Sequence, residues 1–211
     1  RRNYEILRQL TFVFFCISSV VAAGLFSLIT PFICDIWLSP AYELGWGTAV
    51  LCIVVLLIKI MGLPLSLMMG VTGLFEKEKN TGASSAVLNL VVSLALVRPY
   101  GMTGVLLGTL LSYLLQICYR YVIFFRDFLE MKEESIRYAR DLGEYTAVMI
   151  LEVAVTRRII PLIYGNGGMT PFIFCFVLCI LVPLALNGVF FGRGWRLQSI
   201  VKMVRGTVSY T

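Results

Sequence analysis

Apolar residues in this chain gather into six long runs, near residues 10–35, 48–74, 83–97, 102–125, 145–164 and 170–191, and the charged residues fall almost entirely between them. A helix on the surface of a soluble core needs one apolar stripe. A run that is apolar on every side and about 20 residues long matches the ~30 Å hydrocarbon thickness of a bilayer. The pattern predicts an all-α polytopic membrane protein, a bundle of six transmembrane helices over residues 1–192 with a basic tail at 193–211.

Interruptions in the pattern refine it. Pro31 lies near the end of the first run, and Trp37 and Trp46 flank the short segment that follows, as in an interfacial aromatic belt. Pro64 inside the second run lacks an amide donor and crowds the turn before it, which predicts a kink or break. GLFEKEKNTG reads as a short charged loop, and the third run carries the polar Asn89 at membrane depth. Arg98-Pro99-Tyr100-Gly101 reads as a tight turn. Gly104 and Gly108 then form GxxxG, a spacing that lets helix backbones approach closely in lipid; packing within the chain is preferred over dimerisation. Residues 126–143 alternate acids and bases around apolar positions and read as an amphipathic linker. In the tail, Leu197, Ile200, Val201 and Val204 make an apolar stripe amid Arg193, Arg196, Lys202 and Arg205. Such a stripe suits a basic amphipathic helix on an anionic leaflet, and the same charges orient the last span.

Composition supports the membrane reading and narrows the chemistry. Hydrophobic residues make up 59% of the 211 and charged residues 14%, with a mean hydropathy of +0.87, far from a soluble domain. The net charge of +6 matters through its placement. The segments 36–47, 98–101 and 165–169 hold Arg98 as their one basic residue, while the termini and the intervening loops are rich in Lys and Arg. That asymmetry predicts both ends on the cytoplasmic side and leaves no call for a nucleic-acid partner. Histidine is absent, which excludes Ser-His-Asp triads and His-ligated metals. The six cysteines show no CxxC or other metal-ligand spacing, so no metal or cofactor is expected, and Cys175 and Cys179 read as small apolar groups. The chain opens on Arg1-Arg2-Asn3 rather than Met, as a piece of something longer would.

Ionisable groups inside the runs are the candidates for function, because a charge at mid-bilayer costs at least ~2.5–3.5 kcal/mol on insertion scales and usually faces a partner or a cavity. Lys59 lies near the centre of the second run. Glu152, eight residues past Glu144 and so about 12 Å along the helix axis, lies at similar depth. A Lys59–Glu152 pair would act either as a structural staple or as a protonation-sensitive gate. Arg157 and Arg158 lie closer to the outer end, where they either snorkel to headgroups or line a cavity. Three cations against one acid favour an anionic ligand, with phosphate or pyrophosphate the best match for arginine. Lys59, Arg157, Arg158 and Asn89 are therefore the candidate substrate-binding residues. No catalytic residues are expected: there is no Walker or GxGxxG motif, and no paired aspartates on a helix.

From about Phe26 to Asp127 the chain resembles polysaccharide (Wzx-type oligosaccharide) flippases of the multidrug/oligosaccharidyl-lipid/polysaccharide exporter superfamily. The resemblance rests on PFICDIWLSPAY at 31–42 and on MMGVTGLFEKEKNTGASSAVLNLVVSLALVRPYGMTGVLLGTLLSYLL at 68–115. The latter follows the family's order: a glycine-containing helix end, a Lys-rich turn, a span with an asparagine, a basic-x-aromatic-Gly turn, then Gly-x-x-Gly-x-x-x-Gly-Thr. The resemblance implies the second of two six-helix lobes, its N-terminal partner lobe missing. It further implies alternating-access movement of a lipid-linked oligosaccharide, a polyprenyl-pyrophosphate glycan, across the bacterial cytoplasmic membrane. Lys59, Arg157 and Arg158 come from the residues alone and not from the family pattern. Drug exporters, the lipid II flippase of the same superfamily, and a non-transporting structural membrane protein are the alternatives.

Overall fold

The computed structural model of the chain describes residues 2–39, 41, 45–128, 132–165 and 168–192. Among them the regular elements are all helical: α1 (Arg2–Pro31) with a π-helical turn (Phe32–Trp37), α2 (Trp46–Val71), α3 (Phe75–Tyr100), α4 (Met102–Val122) with a second π-helical turn (Ile123–Phe128), α5 (Lys132–Tyr164) and α6 (Met169–Phe191). Helices are what a spanning segment must form, since lipid offers no partner for a free amide or carbonyl. Hydroxyls obey the same constraint. Thr11, Thr81 and Thr156 each donate to the carbonyl four residues back, at 2.7–3.0 Å. The protein is an all-α polytopic bundle, and among the described residues five helices, all but α5, are long and apolar enough to cross a membrane. The sixth expected span lies within α5, whose 33 residues carry Glu144, Glu152, Arg157 and Arg158 among the apolar ones.

Two local expectations are corrected. The stretch expected as a loop from Gly73 is a turn only through Leu74; from Phe75 the chain is already α3, begun by Glu76 and Glu78, which complement the helix N-terminus. The linker at 126–143 and the fifth run are one helix from Lys132 onward, because Gly143 alone costs only about 1 kcal/mol in a helix interior. At Pro64, where the sequence predicts a kink or break, α2 continues from Trp46 to Val71 without a break. The turn between α3 and α4 is as tight as expected. It consists of Gly101, whose φ of +57° suits a residue without a Cβ. The basic tail at 193–211 lies outside the described residues.

Two compact units make up the chain: Arg1–Tyr42 with Leu142–Thr211, and Glu43–Asp141. In the first, α1, the later part of α5 and α6 enclose an aromatic core. Phe15 stacks on Tyr145 with centroids 4.6 Å apart, and Phe191 meets both edge-on at 5.7 Å. Cys175 and Cys179 are buried with Leu28 and Ile160, in keeping with small apolar packing. Tyr164 closes one end of this unit by donating to Asp35 on the π-helical turn at 2.8 Å.

In the second unit α4 packs on both α2 and α3. Gly104 and Gly108 are buried in the α3–α4 contact. A Cβ at Gly104 would strike the Leu96 carbonyl, and one at Gly108 would come within 3.0 Å of the Ser93 amide and 3.1 Å of the Asn89 carbonyl. The opposite face of α3 is bare: Val87, Leu90, Val91 and Leu94 are about three-fifths exposed. An apolar face of that size suits acyl chains and not water.

Candidate functional site

One face of α2 and one face of α4 create a cleft between two largely apolar helices. Lys59, Gly62 and Ser66 fall at i, i+3 and i+7 on α2, and Tyr113, Gln116 and Arg120 at i, i+3 and i+7 on α4, so each set lines a single helix face. The cleft they line holds about 130 Å³. Lys59 is exposed in it, its ammonium 5.8 Å from the centroid of the Tyr113 ring. That distance permits a cation–π contact worth roughly 0.5–1 kcal/mol. No ion pair to Lys59 forms among the described residues.

One end of the cleft carries a polar knot. Arg120 Nη2 lies 2.8 Å from Glu78 Oε1, and the same oxygen accepts from the Ser66 hydroxyl at 2.9 Å. Gln116 donates to the Ser85 hydroxyl, drawing α3 onto α4. Glu78 therefore offsets one of the two cations, leaving the lining net positive. Arg120 Nε is buried and meets no acceptor among the described residues. An orphaned buried donor costs about 1–3 kcal/mol, more when charged. The exposed Lys59 ammonium is the group in the cleft that an anionic oxygen could reach.

The other sequence candidates are placed as follows. Asn89 joins α3 to α4: its side-chain oxygen accepts from Ser93 Oγ at 3.0 Å and from Thr109 Oγ1 at 3.4 Å. Pro64 is buried within α2. Glu152 is fully buried in the first unit, while Arg157 and Arg158 on the same helix are exposed. Its buried face runs Tyr145, Glu152, Thr156 and Ile160, and the two arginines lie off that face. Lys59 and Glu152 thus belong to different units.

Sequence reasoning found Lys59 but missed Ser66, Tyr113, Gln116 and Arg120. The signal was present, as a polar stripe of helical period on two neighbouring apolar runs. It was hidden because a tyrosine, a glutamine and a terminal arginine are each ordinary in a membrane helix. No family model, curated protein or solved structure matches the chain.

Proposed function

We propose that the chain is one six-helix lobe of a two-lobe exporter that carries a lipid-linked oligosaccharide across the bacterial cytoplasmic membrane by alternating access. Both termini of the segment lie on the cytoplasmic side, and a second lobe faces the cleft. The observation that carries the reading is the net-positive α2–α4 cleft, whose exposed Lys59 ammonium has no carboxylate partner among the described residues. A pyrophosphate oxygen suits the Lys59 ammonium, and the Tyr113 ring offers a face on which a sugar can rest. An exporter of cationic drugs would need the opposite sign in this place. Arg157 and Arg158, exposed on α5 in the other unit, are further candidate cations.

The test is export of the glycan in cells carrying the full-length transporter with Lys59→Ala, Arg120→Ala or Arg158→Ala, surface glycan being normalised to membrane levels of the protein. A lost charged contact worth about 1.4 kcal/mol lowers export about tenfold at limiting substrate. Unchanged export at normal membrane levels would favour a scaffold and overturn the reading.

A further inference from the structure

Building on the anion reading of the α2–α4 cleft, we propose that Ser66 and Arg120 form an oxyanion subsite for a phosphate group of the ligand, and that the Glu78 carboxylate is its built-in competitor. Glu78 belongs to neither helix of the cleft. It lies in the first turn of α3, directly after the Gly73–Leu74 turn, where Gly73 takes a φ of +75°. That turn folds the start of α3 back on the end of α2, so that Glu78 returns to Ser66, twelve residues before it. One oxygen, Oε1, accepts from the Ser66 hydroxyl at 2.9 Å and meets Arg120 Nη2 at 2.8 Å. A hydroxyl and a guanidinium nitrogen converging on one anionic oxygen suit a phosphate oxygen equally well, and nothing in the pair is particular to a carboxylate.

Magnitudes decide whether the occupant can leave. The Arg120 and Glu78 side chains are 17% and 21% exposed, so water reaches the pair and it holds by no more than about fivefold. A phosphate group brings more charge and more acceptor oxygens to the same two donors. Departure of Glu78 into water alone would leave a largely buried guanidinium without its counter-charge, whereas exchange for a phosphate keeps it paired. Glu78 therefore holds against water and yields to an anion. Its way out is open, since Lys77 and Lys79 on either side of it are exposed. Elsewhere α3 stays on α4 without it, through Gln116 and Ser85 and through the close approach at Gly104 and Gly108. Lys59 precedes Ser66 by seven residues, about 10.5 Å of helical rise, and needs no displacement. With Glu78 in place Lys59 is the cation open to a ligand; once Glu78 is displaced, Arg120 joins it.

Equilibrium dialysis of labelled inorganic pyrophosphate against the purified full-length protein in detergent, at fixed pH and low ionic strength, tests the subsite. Glu78→Ala is expected to tighten binding about fivefold. Ser66→Ala alone leaves the affinity within about twofold of the parent, because the hydroxyl already serves Glu78. In the Glu78→Ala background the same substitution lowers affinity about fivefold, because the hydroxyl then serves the ligand. The hydroxyl carries no net charge, so a mere change in the field of the cleft would let the gain survive Ser66→Ala in full. That result overturns the proposal. So does Glu78→Ala with no gain while binding still depends on Lys59. Binding as tight in Lys59→Ala as in the parent overturns the anion reading of the cleft as well. Glu78→Asp keeps the charge and withdraws it by one methylene; a gain of about twofold, again lost with Ser66→Ala, carries the test if Glu78→Ala folds poorly. Short-chain phosphatidic acid in place of pyrophosphate separates a bilayer headgroup from the ligand: a Ser66-dependent gain for it and none for pyrophosphate overturns the assignment.

Discussion

Adding one methyl at Gly104 separates packing from helix propensity. In the α3–α4 contact that methyl meets the Leu96 carbonyl and comes within 2.9 Å of the Leu96 Cβ. The first is backbone and cannot rotate aside. At Gly24, within α1, the same methyl has nothing within 4 Å. Gly→Ala in a helix gains about 1 kcal/mol of propensity at either site, so the difference between the two variants isolates the clash. Overpacking by one carbon typically costs about 1–3 kcal/mol. With roughly 2–4 °C per kcal/mol for a chain of this length, Gly104→Ala is expected to melt some 3–10 °C below Gly24→Ala in detergent. Gly24→Ala itself should match or exceed the parent. If the two variants melt within about 1 °C of each other, the glycine-mediated α3–α4 contact is wrong.

Three further outcomes follow from the same geometry. Asn89→Leu removes the acceptor shared by Ser93 and Thr109; at about 0.6 kcal/mol per hydrogen bond between membrane helices, the loss is roughly 1 kcal/mol, read by thermal melting. Phe15→Ala empties the ring stacked on Tyr145 and is expected to cost about 3–5 kcal/mol, enough to deplete folded protein in a detergent-solubility assay. Glu78→Gln leaves Arg120 without its carboxylate; because both side chains are partly exposed, the stability loss stays within about 1 kcal/mol. Equilibrium dialysis should meanwhile show pyrophosphate binding more tightly to that variant, since the cleft gains net positive charge.

The apolar runs made the helices legible because membrane depth dictates length, and length is written directly in residue number. Tight turning at Gly101 and close approach at Gly104 and Gly108 were legible for a similar reason, since each depends on one absent Cβ. Helix ends were not. The EKEKN stretch has the charge of a loop, yet those residues favour a helix once α3 has begun, and nothing local stops them. Linker and fifth run merged for the same reason. The cleft was half legible: Lys59 stands out by depth, whereas Arg120 looks like an ordinary terminal cation until Glu78 and the α2 face are placed beside it. The surroundings of Glu152 were not legible at all, since Ser19 beside its carboxylate and Asn187, which donates to Ser19, are commonplace singly and lie 168 residues apart.

Whether the α2–α4 cleft is wet and receives an anion is most directly answered by thiol accessibility in membrane vesicles. In a background with all six cysteines replaced, Lys59→Cys is expected to react with a membrane-impermeant charged reagent and to be protected by a lipid-linked pyrophosphate. Val91→Cys, on the bare face of α3, should stay inert. A Lys59→Cys protein as unreactive as Val91→Cys, labelled only by a lipid-soluble maleimide, would contradict the account.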